Sequence, residues 1–118
     1  MTQPWILMCP PDYYGIEYEI NPWMSRSRGS DAAAARRQWE DLRTALEAVG
    51  ASVSLLEPKP GLPDLVFTAN AALIYKQAAV LSHFRHVERQ GEELIDAEWL
   101  GSNGFEVRRL PHDIFFEG

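Results

Sequence analysis

The sequence predicts an α/β fold with mixed strand directions, and three observations carry that prediction. Short apolar runs and helix-period stretches alternate in the order strand, long loop, helix, strand, strand, strand, helix, strand. A helix followed by a glycine and an apolar strand occurs twice, Gly50 leading into Val53 and Leu56, Gly104 into Val107 and Leu110, with the glycines 54 positions apart. Each copy then passes a proline, Pro58 or Pro111, into a new acid-bearing apolar run, Asp64-Leu65-Val66-Phe67 or Asp113-Ile114-Phe115-Phe116-Glu117. Internal periods of this size mark supersecondary units that bury a core by stacking on neighbours, here with copies over roughly 1–67 and 68–118.

Taken in order, Trp5-Ile6-Leu7-Met8-Cys9 is a continuous apolar run stopped by Pro10-Pro11, the pattern of a buried strand. From Asp12 to Arg28, aromatics alternate with acids and amides without a period, which predicts a long loop over a binding region or pinned on the core. Ser30 or Asp31 can cap a helix over Ala32–Val49, whose stripe of Trp39, Leu42, Ala45, Leu46 and Val49 is expected to face the core, and Gly50 stops it. Ser52–Leu56 reads as a strand, and the proline-rich stretch 57–63 as a connector. Leu65-Val66-Phe67 reads as a short buried strand with Asp64 and Asn70 at its two ends. Two apolar strands, Ala71–Tyr75 and Ala78–Ser82, flank Lys76-Gln77 as a hairpin. A helix over roughly Glu88–Leu100, a strand over Phe105–Leu110 and the start of another strand complete the chain.

Composition narrows the function. The 118 residues, 46% of them apolar, suffice for one domain with a modest core. A net charge of −6 offers no basic face for a nucleic-acid backbone or an anionic membrane, and no apolar run reaches membrane-spanning length. The single cysteine, Cys9, leaves no internal disulfide, and with no signal-peptide pattern the expected compartment is the cytoplasm. Cys9 has no base in its segment and reads as a structural thiol. His83, His86 and Glu88 resemble half a metal site that no further ligand completes, so no metal and no cofactor are expected, and the three histidines read as loop residues.

The polar residues at strand ends or just after strands are Asn21, Asp64, Asn70, Arg89 and Glu117. Asp64 and Glu117 hold similar places in the two repeat copies. Two carboxylates and an amide acceptor suit a planar cation with many donors, such as a guanidinium, while an arginine suits the carboxylate of an amino-acid ligand. Solvated or capping acids have the same pattern.

The residues also match a known family. Met8-Cys9-Pro10-Pro11-Asp12-Tyr13-Tyr14 with Ile20-Asn21-Pro22-Trp23-Met24, then Leu62-Pro63-Asp64-Leu65-Val66-Phe67-Thr68-Ala69-Asn70-Ala71, then Glu88-Arg89-Gln90-Gly91-Glu92 and Phe116-Glu117-Gly118 resemble the amino-terminal part of the guanidine-modifying superfamily. That family comprises amidinotransferases, arginine deiminases, dimethylarginine dimethylaminohydrolases and arginine dihydrolases. The resemblance implies a partial pentein, about two ββαβ blades of a five-bladed α/β propeller, as a single amino-terminal fragment over 1–118. It implies that Asp64 contacts the substrate guanidinium or its neighbours and that Glu117 is a catalytic acid holding guanidinium nitrogens. By the same likeness Arg89 binds the substrate α-carboxylate and Asn21 is a substrate-contacting loop residue. Asn70 departs from the acid found in many deiminases, and the Phe-Thr-Ala-Asn form resembles the arginine dihydrolases, which release both guanidine nitrogens as ammonia and leave ornithine.

The family attacks the guanidinium carbon with a cysteine thiolate assisted by a histidine, both supplied by its carboxy-terminal half. The expectation is therefore a chemically incomplete piece of an enzyme acting on an arginine-like small molecule, inactive alone. The alternative is a non-catalytic assembly module of the same fold. Open sheet edges imply association between copies in either case.

Overall fold

The computed structural model describes residues 3–15 and 32–118, which divide into two compact units, Met1–Thr68 and Ala69–Gly118. Asn21, most of the aromatic loop and the candidate caps Ser30 and Asp31 lie outside the described residues.

In the first unit, strand β1 (Trp5–Met8) pairs in parallel with β2 (Ser52–Leu55), in the register Trp5 to Ser52 through Met8 to Leu55. Helix α1 (Ala32–Ala48) makes the crossover between them, the connection a parallel pair requires. Gly50 ends the helix in the left-handed region at φ 99°, open to glycine at little cost. The expected burial is only partly realised. β1 buries its end, Met8 and Cys9, while Trp5 stays exposed and its indole Nε1 donates to Ser54 Oγ at 2.8 Å. Of the expected stripe only Trp39 is buried; Leu42 on α1 and Val49 just past its end are 54% and 81% exposed.

Leu65-Val66-Phe67 is not a strand. Pro63–Val66 and Thr68–Asn70 are 3₁₀ turns. Pro63 has no N–H to give a ladder, and the donors that follow close locally, Leu65 N–H onto Leu62 C=O at 3.2 Å and Phe67 N–H onto Asp64 C=O at 3.0 Å. Leu65 is buried and Phe67 is half exposed, so the apolar run fills the core through one residue rather than three.

The second unit holds a mixed three-stranded sheet in the order β3-β4-β5. β3 (Ala72–Tyr75) and β4 (Ala78–Leu81) form the expected antiparallel hairpin, and β4 pairs in parallel with β5 (Glu106–Arg109). The Lys76-Gln77 turn works because Lys76 takes a positive φ of 56°, as primed hairpin turns demand. Ala79, Leu81 and Leu100 form the core, with Ala97, Phe105 and Val107 packed on it. The expected single helix is two, α2 (Val87–Gln90) and α3 (Glu92–Ser102), divided at Gly91, whose lack of a side chain weakens helix continuation. The tail forms no strand; Phe116 makes one antiparallel bridge to His83, with N–H to O distances of 2.8 and 3.0 Å.

Candidate functional site

Four pieces of the second unit bring the polar residues together: the turn ending at Asn70, the end of β4, the α2–α3 break and the tail. Arg89, on α2, is buried, and three positions later Glu92 opens α3. That spacing puts both on one helical face. The guanidinium meets the carboxylate as a fork, Nε to Oε2 at 2.8 Å and Nη2 to Oε1 at 2.9 Å. The guanidinium also lies over the Phe84 ring, 4.3 Å from its centroid, so Arg89 is held by charge, hydrogen bonds and an aromatic face.

The third nitrogen is turned to the candidate site. Arg89 Nη1 donates to Asn70 Oδ1 at 3.3 Å and lies 3.6 Å from Glu117 Oε1. Asn70 uses its other side-chain atom as well, Nδ2 donating to the Gly118 carbonyl at 3.3 Å. The Arg89 side chain is 7% exposed and that of Glu117 51%, so the cation is enclosed while the carboxylate keeps an open face.

Behind Arg89 lie more acids. Asp96 is buried on α3, and burial, with the negative charges of Glu92 and Glu93 outweighing the help of Arg89, raises its pKa from 3.8 to about 7. Glu93 is tied elsewhere: its carboxylate accepts from Phe84 N–H at 2.9 Å and stands 3.1 Å from His83 Nδ1. His83 Nε2 lies 2.8 Å from the His112 carbonyl, so both ring nitrogens face acceptors, and the ring stacks on Phe115 at 4.9 Å. A cavity of about 230 Å³ opens beside them, lined by Leu81, Ser82, His83, Glu93, Arg109 and His112 among others.

Of the five sequence candidates, the structure brings together Asn70, Arg89 and Glu117. Asp64 belongs to the first unit, where it is buried in the 3₁₀ turn rather than placed at the end of a strand. Glu92 was no candidate in the sequence, although a charge three residues from Arg89 was the available signal, and His83, expected as a loop residue, is knit into a network. Cys9 is buried, its Sγ 3.6 Å from the Pro10 carbonyl. Among the described residues no group of three His, Cys, Asp or Glu side chains could hold a metal ion, and no helix is long and apolar enough to cross a membrane.

No protein-family model matches the chain. It is 48% identical over 114 residues to the bifunctional arginine dihydrolase/ornithine cyclodeaminase ArgZ of Synechocystis, covering 96% of this chain and 16% of that protein. It is 43% identical over 105 residues to the N(G),N(G)-dimethylarginine dimethylaminohydrolase of Mycobacterium tuberculosis, covering 89% and 35%. The crystal structure of the N-terminal domain of ArgZ with product superposes at a TM-score of 0.93 and 45% identity, covering 99% of this chain and 43% of that one. The chain thus spans less than half the length of each of these proteins. Over its own length the chain is similar, in sequence and in its mixed α/β fold, to guanidine-modifying enzymes, an arginine dihydrolase and a dimethylarginine dimethylaminohydrolase among them.

Proposed function

We propose that this chain supplies part of the substrate pocket of a guanidine-modifying hydrolase acting on arginine or a closely related guanidine compound. One observation carries the reading: Asn70 Oδ1 and Glu117 Oε1 converge on a guanidinium nitrogen, that of Arg89, at 3.3 and 3.6 Å. An amide and a half-exposed carboxylate spaced for one guanidinium nitrogen can hold a second guanidinium on the open face of Glu117. Glu117 keeps the substrate protonated and oriented there, and Asn70, able to donate as well as accept, holds the ureido intermediate that a dihydrolase must process further. Arg89 has its fork turned to Glu92 and its third nitrogen to Asn70 and Glu117, so its part is to order those two residues. By the family likeness Asn21 and Asp64 are further candidate contacts to the substrate, and the thiolate nucleophile with its histidine lies outside this chain. The two units are two of the five blades of an α/β propeller in a cytoplasmic enzyme.

The test is steady-state ammonia release from L-arginine by the natural protein that carries this sequence, with Glu117→Gln beside it. A loss of about 100-fold or more in kcat/KM is expected, the scale of removing a positioned charge; retention within about twofold would refute the role. A second reading, association between copies, is favoured by the exposed Leu73, Ile74 and Tyr75 of edge strand β3. Light scattering that finds only monomer at high concentration would exclude it.

A further inference from the structure

At the centre of this site stands a hydroxyl that the reading above does not use. Ser82 follows β4 directly and is 1% exposed. Its N–H continues the hairpin ladder onto the Ala71 carbonyl at 3.0 Å. Its Oγ donates to the Asn70 carbonyl and accepts from the Gly118 N–H at 2.8 Å. A hydroxyl has one hydrogen to give, so the donor goes to Asn70 and a lone pair to Gly118. The Asn70 side chain closes the ring on the Gly118 carbonyl at 3.3 Å. The seat also admits only a glycine: a Cβ on Gly118 would stand 2.5 Å from the Ala72 carbonyl carbon and 2.6 Å from its oxygen.

We infer that Ser82 is a positioning residue, whose hydroxyl fixes the spacing between Asn70 and Glu117. Glu117 is joined to Gly118 by one peptide bond, so whatever locates the Gly118 amide locates the backbone from which the Glu117 carboxylate reaches to 3.6 Å of Arg89 Nη1. Without the Ser82 hydroxyl the Asn70 carbonyl and the Gly118 N–H lose the one group that ties them to each other. The bearing on catalysis rests on the proposed function; the geometry does not.

The experiment uses the natural protein with Ser82→Ala and with Ser82→Cys, whose thiol fills the same space but bonds weakly. Amide exchange at Gly118 is read against Ala79 in the core of β4, and turnover of L-arginine is followed in parallel. The inference predicts Gly118 exchange about fivefold faster or more in both variants with Ala79 unchanged, matching the loss of one hydrogen bond. It also predicts kcat lowered about 10- to 100-fold with KM little changed, as small misplacements of reacting groups produce. Unchanged Gly118 exchange, or equal acceleration at Gly118 and Ala79, overturns it, the second because it marks Ser82 as merely structural. Selective Gly118 acceleration in a protein whose wild type leaves arginine untouched supports the positioning role and sinks the arginine reading instead. Should Ser82→Ala fail to fold, the thiol variant decides.

Discussion

Replacing Glu92 by glutamine should damage this protein more than the loss of any other acid from an ion pair among the described residues. The Arg89 and Glu92 side chains are 7% and 3% exposed, and two N–H···O contacts of 2.8 and 2.9 Å join them. A guanidinium cannot shed its proton, so Glu92→Gln leaves a buried cation facing Asn70 Oδ1 at 3.3 Å and the half-exposed Glu117 carboxylate at 3.6 Å. Breaking a buried pair from one side costs about 3–5 kcal/mol. Asp96 offsets part of this: Glu92 is one of the charges that hold it protonated, and without Glu92 it ionises more readily beside Arg89. A net cost near the lower bound, about 3 kcal/mol, is therefore expected, which moves a urea midpoint down by about 1–3 M. The control is Glu106→Gln, whose Arg108 pair at 2.9 Å is 63% and 66% exposed and contributes at most about 1 kcal/mol. A midpoint for Glu92→Gln indistinguishable from that of Glu106→Gln would refute the reasoning, since it would mean that Arg89 is not an enclosed cation needing a counter-charge.

Other consequences follow from single residues. Asp96 has a folded pKa of about 7 against 3.8 unfolded, so the native state binds the extra proton between those values, and stability should fall as pH rises from about 4 to 7 and level off above. Urea midpoints at pH 5 and pH 8 test this, and Asp96→Asn should flatten the slope; a wild-type midpoint that rises over the window contradicts it. Gly118→Ala drives a methyl group into the Ala72 carbonyl at 2.5 Å, so the tail should lift, abolishing the Ser82 and Asn70 contacts and with them turnover. A crystal structure of that variant with the tail in place would count against the account. Lys76 occupies φ 56°, and Lys76→Gly should raise stability by about 0.5–1 kcal/mol, read as a higher melting temperature; a decrease would show that the turn is held by its side chain.

The sequence was most legible where local chemistry settles the backbone. Gly50 and Gly104 stand at φ 99° and 91°, each closing a helix before a strand, as their repeated setting indicated. The hairpin around Lys76-Gln77 was readable from two apolar runs two residues apart, and mixed strand directions from the order of the elements. Leu65-Val66-Phe67 misled because three apolar residues look alike in a strand and in a tight turn, and only the missing donor of Pro63 distinguished them. The stripe on α1 misled for another reason: periodicity shows which face can be buried, not how much cover exists, and Leu42 and Val49 remain open.

At the site, the residue types were legible and the wiring was not. Asn70, Arg89 and Glu117 stood out as polar groups beside apolar runs, and they meet in the second unit. That Arg89 turns its fork to Glu92 follows from their i,i+3 spacing, but the sequence does not say that the pair is enclosed. Ser82 gives no signal at all, since a serine after a strand is common and its meaning comes from the tail brought back beside it.

The most direct measurement is product stoichiometry: ammonia released per L-arginine consumed by the natural protein, with the amino-acid product identified. Two ammonia per arginine, with ornithine, is the predicted result, and Asn70→Ser should slow the second release more than the first. One ammonia with citrulline would contradict the part assigned to Asn70, and no consumption of arginine or its methylated relatives would contradict the guanidinium site itself.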